Sequence, residues 1–164
     1  MGNPQPSGPR TSALDRVLRL VLTAVYKALR LGWRIRRPHT LGSHCLALTP
    51  ERRLILVRHR YAPGWRAPGG GRHRDESAEE AGLRELREEI GMTAHGRVRL
   101  AGELEHVVDY KSDLAALIIV EDVIYRRPKW SLEIERVGEF PLDDLPADTV
   151  ELTRRWIASV RGRI

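Results

Sequence analysis

Apolar residues recur along this chain with two periods, one near 3.6 residues and one of two, and the switches between them mark out elements. From residue 14 to 36, Leu14, Val17, Leu18, Val21, Leu22, Val25, Ala28 and Leu29 return every third or fourth position. Arg16, Arg19, Thr23, Lys27, Arg30 and Arg34 fill the other side. The pattern predicts a basic amphipathic helix over 13–37, ended by Pro38. Its charges interrupt the run before it is long enough to span a bilayer. The apolar stripe is expected to dock on the chain's own domain or on a second subunit, as in a homo-oligomer. Peripheral contact of residues 14–36 with an anionic membrane surface is the alternative.

Two short apolar runs, 46–48 and 54–57, flank Thr49-Pro50-Glu51-Arg52 and predict a strand hairpin. Residues 58–66 read as a polar loop with several bases and two aromatics, leading to Pro68 and the glycines 69–71. The helical period then returns: Leu83, Leu86 and Ile90 share one face, which is expected to pack on the core. Ser77 with Glu80 three residues on forms a capping box, and Gly91 stands where a C′ glycine stops a helix. Farther on, Val98, Leu100, Leu104, His106 and Val108 alternate as in a half-buried strand, with His106 expected to be a satisfied core histidine. Residues 114–120 are apolar throughout and predict a central strand covered on both faces. Residues 134–140 predict another strand and 143–146 a loop. Asp148 with Glu151 is expected to cap a last helix with an inner stripe of Val150, Thr153, Trp156, Ile157 and Val160. Strands alternating with helices imply a layered α/β arrangement over residues 40–164. Residues 1–12, rich in Pro, Gly, Asn and Ser, are expected to be disordered.

Composition narrows this only a little. A chain of 164 residues, 41% hydrophobic and 30% charged, is one domain's worth of ordinary globular protein. The single cysteine, Cys45, excludes an internal disulfide framework and fits a reducing compartment; its apolar surroundings predict a buried, inert thiol. No secretory leader is visible, so a cytoplasmic location is expected, with the inner face of the membrane as the alternative. A net charge of +6 suits nucleic acid, anionic membrane or phosphorylated small molecules alike. No RNA-binding motif is visible, and specific nucleic-acid binding is not expected.

The charge pattern of the middle helix says more. At about 100° per residue, Glu85, Glu88 and Glu89 fall within a sector of roughly 100°. Ala78, Ala81 and Gly82 precede them on that face and are expected to leave it open to approach. Each like-charge neighbour costs about 0.2–0.5 kcal/mol, and the cluster crowds a helix C-terminus, where the macrodipole favours cations. Arg84 offsets part of this as an i,i+4 partner of Glu80 and Glu88. A divalent cation would offset more, because hard cations take carboxylate and phosphate oxygens.

Read as spacing, the stretch is Gly70, five residues, Glu76, seven residues, then Arg84-Glu85-Leu86-Arg87-Glu88-Glu89-Ile90-Gly91-Met92. It resembles at every defined position the box of the Nudix hydrolases, GX5EX7REUXEEXGU with U aliphatic. The resemblance implies an α/β/α sandwich with a mixed central sheet, to which the N-terminal helix is added. It implies water attack on a diphosphate linkage in a nucleoside diphosphate derivative or other organic pyrophosphate, with Mg²⁺ or Mn²⁺ as cofactor. By the family's pattern Glu85, Glu88, Glu89 and the Gly69 carbonyl are the expected metal ligands. Glu85 is also a candidate to order or deprotonate the water. Arg84 would hold the glutamates, Glu76 would brace the loop, and Gly70 and Gly91 would shape its two ends. Arg58, Arg60, Arg66, Arg72 and Arg74 are candidates to draw in a polyphosphate, and Trp65, Tyr110 or Trp130 to stack a base. Glu133 or Glu135 is the candidate for a further acid at the metal site. Asp75 stands before Glu76 where many family members have glycine, which points to a stiffer and more basic loop. The alternatives are a non-catalytic nucleotide-binding module and a peripheral membrane-associated protein.

Overall fold

A computed structural model describes residues 13–36, 39–108, 111–128 and 130–162. The sequence-based expectations for residues 1–12, Tyr110 and the side chain of His106 therefore lie outside the described residues. The first hairpin forms as its pattern predicts. Thr49 donates its N–H to the Arg53 carbonyl and accepts from Arg52, each at 2.9 Å, and the chain returns from β1 (His39–Leu48) to β2 (Leu54–His59). β1 and β2 pair antiparallel only at Ala47↔Ile55 and Leu48↔Leu54, because the two strands then part. The strand pair β3 (Trp65–Arg66) and β4 (Gly69–Gly71) fills the fork, β3 on β2 and β4 on β1 through Gly42–His44. The Cys45 N–H closes the gap by donating to the Pro68 carbonyl at 2.8 Å. Part of the stretch expected as a polar loop is thus strand, since β2 runs to His59 and β3 pairs with it.

The other edge of β1 is parallel to β7 (Lys111–Val120), which in turn pairs antiparallel with β6 (Val98–Val108). β9 (Ile134–Phe140) lies antiparallel along β2 and completes a mixed sheet of seven strands. A separate ribbon joins β5 (Met92–Ala94) to β8 (Ile124–Tyr125). Period-two alternation sorts the side chains of this sheet into two cores. Cys45, Ala47, Ile55, Val57, Ala116, Ile118 and Val120 meet Leu86 and Ile90 of α2 (Ala78–Ile90). Leu46, Leu48, Leu54, Leu56, Leu117 and Ile119 meet Trp156, Ile157 and Val160 of α3 (Glu151–Val160). Each fully buried Leu or Ile stabilises this sandwich by about 1.5–3 kcal/mol before entropy. Residues 115–120 are apolar throughout because β7 serves both cores, while Leu114, at the start of the run, is exposed.

One expectation at the C-terminal helix needs correcting. Asp148 does not cap α3: Val150 holds the N-cap position without a side-chain bond. The Asp148 carboxylate instead pairs with Arg58, and its carbonyl accepts from the Trp65 N–H at 3.1 Å. A tertiary tie to β3 fixes where α3 starts. The helix expected at the N-terminus forms as α1 (Ala13–Arg36), and among its described side chains, 16–28, the domain covers the stripe along one edge only. Leu18, Leu22 and Tyr26 are half-buried, with the Tyr26 ring 4.9 Å from that of Tyr61, while Val17, Leu20, Val21 and Val25 are exposed. Arg19 of α1 forms an ion pair with Glu135 of β9.

Candidate active site

The ends of α2 are specified locally. The Ser77 hydroxyl accepts from the Glu80 N–H and the Glu80 carboxylate accepts from the Ser77 N–H, while Gly91, at φ 73°, closes the other end in the left-handed region. Between them, the face bearing Ala78, Ala81 and Gly82 is not open to solvent as expected; Ala81 and Gly82 are buried. A Cβ on Gly82 would stand 2.7 Å from the Cys45 sulfur, and the Ser43 hydroxyl donates to the Ala78 carbonyl at 2.6 Å. Small residues let the helix seat directly on β1. The next turns of the same face then carry Glu85 and Glu89 down to the fork between β1 and β2.

Gly69 meets them there. Its φ of 147° lies where side chains are strained, and a Cβ would come within 2.3 Å of the Ser43 carbonyl oxygen, so only glycine fits. Its N–H donates to Glu89 Oε2 at 3.0 Å. The Glu85 carboxylate lies over Gly70, where a Cβ would be 2.5 Å from Oε1. Glu89 is 6% exposed, whereas the Glu88 side chain, on the outer side of the helix, is 58% exposed. Burial raises the Glu89 carboxyl to about 8, against the Gly69 hydrogen bond and with help from the charge of Glu133. Burial also raises Glu85, opposed by its bond to Arg84.

Arg84 lies across this group. Its Nε donates to Glu76 at 2.9 Å, Nη1 to Glu85 at 2.7 Å and more distantly to Glu88 at 3.4 Å, and Nη2 to the Gly71 carbonyl at 2.8 Å. It does not turn to Glu80, whose carboxylate is already bound to the Ser77 N–H. Glu76 also accepts from the His73 N–H at 3.1 Å, so one carboxylate ties the loop to the helix. The Arg84 hydrogen bond holds Glu76 down at about 2.

The pattern left three contributors unnamed. Ser43 seats α2, as described. His59 Nε2 shares a hydrogen bond with Glu89 Oε1 at 3.1 Å, and the Tyr61 hydroxyl donates to Glu133. His59 is held near 4, chiefly by burial and then by the charge of Arg66, so its ring is neutral at pH 7. Period two along β2 places His59 in phase with the inward Ile55 and Val57, and that phase was the signal for it.

The remaining expected residues divide. Arg66 and Glu133 bear electrostatically on Glu89 and stand at the site. Glu135 is engaged with Arg19. Arg58 and Arg60 line a cleft beside His59 together with Arg19, Tyr61 and Arg136. Trp65 is a correction: at 7% exposed it packs edge-on against Phe140 with ring centroids 5.0 Å apart, in the core on the α3 side, and has no free face for a base. Trp130 is exposed.

As a metal site this is a set of hard oxygen donors. Glu89 takes the Gly69 N–H and Glu85 lies over Gly70, with Glu88 on the outer side of the same helix, and burial disfavours the charged forms of Glu85 and Glu89. Among the described residues, no three His, Cys, Asp or Glu side chains converge closely enough to hold an ion as they stand. Arg84 and Gly69 occupy the carboxylates instead. The donor chemistry fits Mg²⁺ or Mn²⁺, and such an ion would relieve the cost of the buried charge.

The NUDIX domain model matches residues 38–160. Among solved structures, the MutT NUDIX hydrolase from Burkholderia pseudomallei superposes with a TM-score of 0.65 at 27% identity, over 74% of this chain and 98% of that one. The MutT protein from Methanosarcina mazei Go1 gives 0.62 at 23% identity, over 77% and 96%, which bears on the fold alone. A Bacillus subtilis (strain 168) protein, provisionally named an 8-oxo-dGTP diphosphatase, is 39% identical over 56 residues. That match spans 34% of this chain and only 38% of the relative.

Proposed function

The chain belongs to the NUDIX domain family, and on that premise we propose that it is a pyrophosphohydrolase acting on a nucleoside diphosphate derivative or related organic pyrophosphate. The observation that carries this reading is the seating of Glu85 over Gly70 and of Glu89 on the Gly69 N–H, with Glu88 open beside them. Glu85, Glu88, Glu89 and the Gly69 carbonyl would hold Mg²⁺ or Mn²⁺. The ion's chemistry is to neutralise charge on phosphoryl oxygens and to lower the pKa of bound water.

The chain's own residues do the rest. Arg84 fixes the direction of Glu85 and Glu88, and Glu76 fixes Arg84. The Gly69 N–H and His59 hold the two oxygens of Glu89. Glu85, raised by burial, is suited to accept the proton of the attacking water as its oxygen bonds to phosphorus and the diphosphate P–O bond breaks. Arg58, Arg60 and Arg136, in the cleft beside His59, suit the anionic groups of the substrate.

The name of the Bacillus subtilis relative puts 8-oxo-dGTP, and with it other nucleoside triphosphates, first in the test. A screen with Mg²⁺ or Mn²⁺ over these, dinucleoside polyphosphates and nucleotide sugars should release phosphate or pyrophosphate from at least one class. Binding of nucleotide with no turnover under either metal would overturn the enzymatic reading and leave a nucleotide-binding module.

A further inference from the structure

The uncovered face of α1 is a second surface, independent of the catalytic chemistry. At about 100° per residue, Val17, Leu20, Val21, Ala24, Val25 and Ala28 share a sector of roughly 140°. All six are exposed, the four larger ones at 56%, 70%, 53% and 51%. The half-buried Leu18, Leu22 and Tyr26 border this sector on one side, and the exposed Arg16 and Lys27 border it on the other. The helix therefore rests on the domain by its flank and turns its apolar face outward. Contiguous exposed apolar surface of this kind marks an interaction site.

Charge decides between occupants. α1 carries Arg16, Arg19, Lys27, Arg30, Arg34 and Arg36 against a single acid, Asp15. In a two-fold pair of copies the same patch would meet itself and bring basic flanks together with almost no acid to answer them. An anionic bilayer answers both features at once, with acyl chains for the valines and headgroup phosphates for Arg16 and Lys27. Among the described residues no helix is long and apolar enough to cross a membrane, so the helix would lie in the surface. Trp130 and Leu132, also exposed, stand in the segment leading into β9, whose Glu135 holds Arg19.

We propose that α1 is a membrane-surface helix that seats Val17, Leu20, Val21 and Val25 in the interface of an anionic bilayer and holds the domain against it. The test uses the full chain with vesicles of phosphatidylcholine alone and with about 30% phosphatidylserine. The protein should co-sediment with the anionic vesicles, far less with the neutral ones, and come off as salt is raised. Val21→Asp/Val25→Asp should lower the partition coefficient at least tenfold. Arg16→Gln/Lys27→Gln should lower it about fivefold for each charge removed. These side chains are exposed, so far-UV circular dichroism and the melting temperature should match the parent protein. Failure of the parent protein to bind anionic vesicles, or equal binding to both compositions, would overturn the proposal. So would a dimer in lipid-free solution that Val21→Asp/Val25→Asp dissociates, because the occupant would then be a second copy.

Discussion

Glu89 has to carry a charge where little water reaches it. Its oxygens are held by the Gly69 N–H and by His59, two groups that can serve an amide as well as a carboxylate. Glu89→Gln should therefore keep the fold; without metal its melting temperature should match that of the parent near pH 7, where burial already holds the carboxyl largely uncharged, and exceed it above pH 8, where the parent must carry a desolvated charge. Turnover should fall on the order of a hundredfold or more, with weaker Mg²⁺ binding by calorimetry. Unchanged turnover at limiting Mg²⁺ would remove Glu89 from the ligand set. Glu76 is the opposite case, an acid that its partner keeps charged. Its folded value of about 2 lies below the ordinary 4.5, so what it contributes through Arg84 is complete above the ordinary value and fades as pH falls towards the folded one. A carbon-detected NMR titration should give a Glu76 midpoint near 2; a midpoint at 4.5 would mean that Arg84 does not clamp it in solution.

At the scale of an element, α2 shows what a sequence pattern carries and what it leaves out. Its ends and its Leu86–Ile90 stripe were legible, because capping boxes, C′ glycines and helical periodicity act within a few residues. The side that meets β1 was not. Ala78, Ala81 and Gly82 look like an empty approach to the acids, yet their small size is what lets a strand come close. The pairing of Gly42–His44 with β4 joins residues far apart in the chain, and no local signal announces it. The same holds for α3, whose start is set by the tie of Asp148 to β3 rather than by a cap. Gly82→Ala tests the close approach, because two effects oppose. Alanine favours an exposed helix interior by about 1 kcal/mol, whereas overpacking a core costs about 1–3 kcal/mol. With the new Cβ 2.7 Å from the Cys45 sulfur, the clash should win and lower the melting temperature. Adding Cys45→Ala should recover part of the loss, and additive effects in the double mutant would show that the two residues do not touch.

Over the whole molecule, the sheet keeps two separate cores, and Cys45 lies in the one beneath α2, fully buried, with its thiol pushed up by burial. It is the chain's only sulfhydryl. The glutamates' helix is thus also the lid over a single chemical reporter. A thiol reagent added to the native protein has nothing to modify until α2 lifts from the sheet or the sandwich opens altogether. Labelling should be slowed about a thousandfold or more relative to the unfolded chain. A ligand that grips α2 in its closed position should slow it again, in proportion to occupancy. Mass spectrometry of one modified site would then time the opening of this layer, with or without a known substrate, and rank compounds by how firmly they keep it shut.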